Sequence, residues 1–158
     1  MPARPTGERC WRGRADPQNV AINRWDMTIG ELREEMAALH ENRLDPQMTI
    51  AEQADVFAKL RALLSAGMSA TLNFEEPWPQ AKVMTSEDFV IELRPRPAAR
   101  RAFGRNLRQV RLYIAEPLAP PDKLLALHLA SKPNGEDTEH EQTASIQVAA
   151  IRAHLWAT

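Results

Sequence analysis

Hydrophobic side chains recur every three or four residues up to Gly67 and every second residue beyond Phe89, so this chain must set helices against a sheet. Ile29, Leu32, Met36 and Leu39 stripe one side of the segment from Thr28 to Arg43, while Glu31, Arg33, Glu34, Glu35 and Glu41 fill the other. Asp45-Pro46 interrupts the pattern. A second stripe of Ile50, Val56, Phe57, Leu60, Leu63 and Leu64 runs to Gly67, which is placed as a helix-terminating glycine. Thr28 with Glu31, and Thr49 with Glu52, have capping-box spacing. Two helices with a short break predict an N-terminal helical hairpin.

Beyond the rigid Pro77-Trp78-Pro79 connector the period becomes two. From Phe89 to Arg94, Phe89, Ile91 and Leu93 face one way and Val90, Glu92 and Arg94 the other. From Gln109 to Ala115, Val110, Leu112 and Ile114 oppose Arg111 and Tyr113. From Leu124 to Ala130, Leu125, Leu127 and Leu129 oppose Leu124, Ala126, His128 and Ala130, and Lys132 continues the second set. A last helix spans about Glu139 to Leu155, with Val148, Ile151 and Leu155 as its apolar stripe. The predicted fold class is α+β: the helical hairpin packs on a small antiparallel meander, followed by a C-terminal helix. Residues 28–158 form one domain. Residues 1–27 read as a flexible basic arm, rich in Pro, Gly and Arg, in which Asn19 to Trp25 alternates weakly as an edge strand would.

The net charge of −1 hides a segregation. Thr28 to Gln80 carries four basic and nine acidic residues; Val90 to Gly135 carries nine basic and three acidic ones. The local surplus, not the total, points to a polyanionic partner. One cysteine, Cys10, excludes an intrachain disulfide and a cysteine-built metal site. No apolar run reaches the roughly 18 residues needed to span a bilayer, and no secretory signal is seen, which favours the cytoplasm.

Strand geometry then collects Glu92, Arg94, Arg111, Tyr113, His128 and Lys132 on the face away from the oily residues. That set suits a phosphodiester. Arginine grips phosphate in two-pronged fashion and lysine adds a point charge, so Arg94, Arg111 and Lys132 are candidates to stabilise a pentacoordinate phosphate. His128 and Glu92 are candidate acid or base groups, and Tyr113 can stack on a base or donate a hydrogen bond. RNA brings its own nucleophile, the 2′-hydroxyl, so no metal or other cofactor is required. The loop between the first two strands adds Arg96, Arg100, Arg101, Arg105 and Arg108, a stretch able to grip backbone phosphates.

Other features carry less. His40, His140 and His154 lie on separate segments without metal-ligand spacing. Cys10 has no motif around it, and Trp78, Trp156 and the methionines read as core fillers or partner contacts. No phosphate-binding glycine loop, nucleophile elbow or dinucleotide fingerprint occurs.

The run from about Thr49 to Ala157 resembles the RelE/ParE toxin superfamily, most of all its HigB-type branch. The likeness rests on a helix ending Leu63-Leu64-Ser65-Ala66-Gly67, then Ile91-Glu92-Leu93-Arg94, then Val110-Arg111-Leu112-Tyr113, then Leu127-His128-Leu129-Ala130-Ser131-Lys132, and a closing helix. The resemblance implies an mRNA-cleaving toxin acting on the ribosome without a metal and neutralised by a small antitoxin protein. It implies Arg94, Arg111 and Lys132 as phosphate binders and His128 as the acid/base group. The alternative is a non-catalytic module whose same face holds nucleic acid or an acidic partner, as an inhibitor or regulator; some members of the superfamily act on DNA gyrase instead of RNA.

Overall fold

A computed structural model describes residues 3–4, 10, 23–77, 79–95, 108–133 and 138–158. In chain order the elements are β1 (Ala3–Arg4), β2 (Arg24–Asp26), α1 (Gly30–His40), α2 (Ile50–Met68), β3 (Ala81–Val83), β4 (Ile91–Leu93), β5 (Arg108–Pro117), β6 (Lys123–Pro133) and α3 (Thr138–Ala157). The fold is α+β. A mixed sheet runs β2-β6-β5-β4-β3, and β1 adds two residues to the far end of β5. The strands β3 to β6 form an antiparallel meander, and β2 joins β6 in parallel. Ala81–Val83 escapes a sequence reading because three residues are too few to show alternation.

The helices cover both faces of the sheet. Leu32 and Leu39 of α1 and Val56, Leu60 and Leu63 of α2 bury one face with Ile91, Leu93, Val110, Leu112, Ile114, Leu124, Ala126 and Leu129. On the other face, α3 packs Ile146, Ala149, Ala150 and Ala153 against Tyr113, Ala115, Leu125 and Leu127. This corrects the expected stripe of the last helix. Ile151 and Leu155 are 59% and 67% exposed, and small alanines make the contact instead, letting the helix axis sit close to the strands. Part of the sheet face that carries the polar residues therefore lies under α3.

Strand β6 departs from its expected alternation as well. Tyr113 pairs with His128, but Ile114 pairs with Ala126, so the register shifts by one residue between them. Such a bulge reverses which side successive residues face. Leu124 and Ala126 therefore enter the α1/α2 core and Leu125 and Leu127 point to α3, the reverse of the expected assignment. His128, beyond the bulge, still lands beside Tyr113, their rings stacked at 5.9 Å and 17°.

The helix ends show two further differences. The Thr49 side chain accepts from the Glu52 N–H at 3.1 Å and caps α2 as its spacing predicts. Thr28 makes no such cap: its hydroxyl and N–H both donate to Asp26, and α1 starts at Gly30 with Ile29 before it. Gly67 lies inside the last turn of α2, and the left-handed position beyond the helix is Ala70. The glycine is there because the Trp25 indole sits on it, while the indole nitrogen donates to the Leu64 carbonyl at 2.8 Å. Cys10, expected in the arm, is buried in the core, its N–H donating to Glu116 at 3.1 Å, and burial pushes its thiol pKa up. No helix of the described residues is long and apolar enough to cross a membrane.

Candidate functional site

A cleft of about 650 Å³ opens between the sheet and the first half of α3. Glu92, Arg94, Arg111, Tyr113, His128 and Lys132 all line it, so the six side chains that alternation collects on one face do share one site. Register makes this happen: Glu92 is opposite Tyr113 and Tyr113 opposite His128, while Arg111 and Gln109 face Ala130 and Lys132 one and two steps along.

Glu92 is the hub. It is fully buried and accepts from the Arg94 guanidinium, from the Tyr113 hydroxyl at 3.0 Å and from Gln142 of α3 at 2.8 Å; the Arg111 Nε lies 3.7 Å away. A buried carboxylate this fully engaged is an anchor for two guanidiniums rather than a free base. Arg94 and Arg111 keep 30% and 28% of their side chains exposed to the cleft. Burial lowers the Arg111 pKa, Glu92 works against that, and an arginine stays charged regardless. Burial, together with the neighbouring Glu92 charge, pushes the Tyr113 hydroxyl pKa up. Tyr113 is 1% exposed with its ring against His128, so no nucleobase can stack on it; its expected stacking role gives way to a structural one.

His128 is approached from two helices. Its Nδ1 lies 2.9 Å from the Glu35 carboxylate of α1 and 3.3 Å from Arg152 of α3. Lys132 pairs with Glu141 of α3 at 3.0 Å. Three cations, Arg94, Arg111 and Lys132, thus meet two carboxylates, Glu92 and Glu141, leaving a modest positive surplus. Among the described residues no group of three or more His, Cys, Asp and Glu is placed to hold a metal ion.

In its comparisons with known proteins, this chain matches no family model, no curated protein and no solved structure.

The remaining candidates sit elsewhere. Arg108 is outside the cleft lining: its guanidinium donates to Ser131 Oγ at 2.9 Å and to the Pro46 carbonyl at 2.9 Å, tying β5 to the α1–α2 connection. Arg96, Arg100, Arg101 and Arg105 lie outside the described residues. Several residues enter the site that the sequence reading passed over. Gln109 follows the same alternation as Arg111 and Tyr113 and was within reach of it. Glu141, Gln142 and Ser145 of α3, and Glu35 and Arg152 behind His128, depend on where helices dock, which no local pattern states.

Proposed function

We infer that the cleft binds single-stranded RNA and cleaves it without a metal, as a toxin-type endoribonuclease held in check by a small antitoxin. The observation that carries this reading is the convergence of Arg94, Arg111, Lys132 and His128 on one cleft. The 2′-oxygen of the RNA attacks the adjacent phosphorus, and His128 Nε2 takes its proton. The phosphorus–5′-oxygen bond breaks, the leaving oxygen takes a proton from solvent, and a 2′,3′-cyclic phosphate forms. Arg94, Arg111 and Lys132 share the charge that builds on the phosphate. Glu92 aims the two arginines. The short strand β2 ahead of two helices, then a meander, then a helix, supports the resemblance to the RelE/ParE superfamily on which the toxin role and a cytoplasmic site of action rest.

The test is cleavage of end-labelled RNA, with and without ribosomes, in EDTA. Cleavage with cyclic-phosphate ends, lost in Arg111→Gln/Lys132→Gln, is the expected result. That pair leaves Arg94 with Glu92, so the buried carboxylate keeps a counter-ion. Intact RNA with the wild-type chain rejects the nuclease.

A second reading, a binding module without chemistry, is favoured by one observation: Glu92 and Glu141 already neutralise most of the cationic charge. Salt-sensitive RNA binding with no products would select it.

A further inference from the structure

We propose that Glu35 is the positioning residue of His128: its carboxylate takes the Nδ1 hydrogen and so presents Nε2, as the lone-pair nitrogen, to the cleft. This rests on the nuclease reading only for its consequence in catalysis; the tautomer itself is a property of the folded chain.

The contacts put a hydrogen on Nδ1. Glu35 Oε2 lies 2.9 Å from Nδ1, a hydrogen-bond distance at which the carboxylate can only accept. Burial works against ionisation of Glu35. Hydrogen bonds from His128, from Arg152 and from the Leu129 N–H outweigh it and hold the Glu35 pKa to about 2, so at neutral pH it is a carboxylate. A carboxylate facing Nδ1 at 2.9 Å selects, of the two neutral tautomers, the one with the hydrogen on Nδ1. Arg152 Nη1, 3.3 Å from the same nitrogen, then makes no hydrogen bond to it, because both would be donors. Its hydrogens go to Glu35 Oε1 at 2.8 Å and to the Leu127 carbonyl at 3.0 Å. Arg152 thereby fixes the carboxylate that fixes the imidazole.

The remaining neighbour is the Tyr113 ring, stacked on the imidazole. Its hydroxyl donates to Glu92 and leaves His128 alone. The groups facing the imidazole are therefore Glu35 from α1, Arg152 from α3 and Tyr113 from β5, with Glu92 of β4 one step behind. No protein partner of Nε2 is present among the described residues. A histidine held at Nδ1 by a carboxylate, with Nε2 facing a ligand, is the arrangement general-base chemistry uses to keep the working nitrogen unprotonated.

The experiment is a long-range ¹⁵N–¹H correlation on the intact chain at a pH where the imidazole is neutral. It is run on the wild type, Glu35→Gln and Arg152→Gln, beside the RNA cleavage assay. The expected wild-type pattern has the His128 hydrogen on Nδ1. Arg152→Gln keeps that pattern, because the Leu129 N–H still holds the Glu35 carboxylate at 3.1 Å beside Nδ1. Glu35→Gln gives a mixed or Nε2–H pattern and cuts cleavage by about 100-fold or more. A wild-type hydrogen on Nε2, or an unchanged pure Nδ1–H pattern in Glu35→Gln, overturns the proposal. Should Glu35→Gln fail to fold, the wild-type and Arg152→Gln spectra still decide it. Absence of cleavage by the wild type removes the nuclease reading and leaves the tautomer result standing.

Discussion

Glu35 of α1 and Arg152 of α3 meet across the edge of β6, joined by hydrogen bonds of 2.8 and 3.0 Å. Among the described residues, strand β2 covers β6 from Lys123 to Leu125 and no strand lies on that side beyond it. Past that point the Leu127 carbonyl is taken by Arg152 and the Leu129 N–H by Glu35. The pair thus does for this stretch of the edge what another strand would do, and it ties together the helices on opposite faces of the sheet.

That pair makes stability acid-sensitive in a defined window. Glu35 has an ordinary value of 4.5 unfolded and about 2 folded, so the folded state favours its charged form. Its contribution is complete above pH 4.5 and is lost as the pH falls towards 2. Urea midpoints of the wild type should drop across this range more steeply than those of Glu35→Gln. At neutral pH, Arg152→Ala should cost about 1–3 kcal/mol, because the Leu127 carbonyl and the carboxylate lose a donor.

Tyr113 is the only tyrosine in the chain, so alkaline absorbance reads it alone. Burial holds its folded pKa above the ordinary 10.0. A group raised in the folded state contributes stability below its unfolded value and loses it as the pH climbs past it. Tyrosinate absorbance should therefore appear well above pH 10 in the native protein, together with unfolding, and near pH 10 in urea. A native transition at the ordinary value would contradict the buried Tyr113–Glu92 contact.

Gly67→Ala should destabilise even though alanine favours an open helix by about 1 kcal/mol. An added methyl would lie 2.7 Å from the Trp25 ring, which is anchored to Leu64 and cannot swing freely. Overpacking of this kind costs about 1–3 kcal/mol, readable as a lower denaturation midpoint with altered tryptophan fluorescence.

The two sides of α3 should respond oppositely. Leu155→Gln, at a position 67% exposed, should change stability by less than about 0.5 kcal/mol. Ala149→Leu, at a position 0% exposed against the sheet, should cost about 1–3 kcal/mol. Equal effects in chemical denaturation would mean that the helix docks by its other face.

Salt reports on the cleft. If Lys132 neutralises one phosphate of bound single-stranded RNA, Lys132→Gln should reduce the slope of log Kd against log salt by about 0.7. The Lys132 partner, Glu141, is 42% exposed, so its loss of a counter-ion is relieved by water and the fold should hold, as a thermal melt will show.

The α+β class, the capped start of α2 and the alternation of β5 follow from local pattern. A strand's side chains must alternate wherever it lies, so Arg111 and Tyr113 were bound to share a side with Gln109. What the local pattern could not state was the single-residue register shift in β6, which reverses Leu124 to Leu127 yet leaves His128 against Tyr113. Nor could it state that α3 would dock by its alanines on the polar side, narrowing an open face to a cleft, or that Glu35, 93 residues before His128, would meet it. Periodicity is a property of neighbours along the chain. Bulges, docked helices and buried carboxylate networks are settled by which distant surfaces fit and which polar groups still need a partner once water has left.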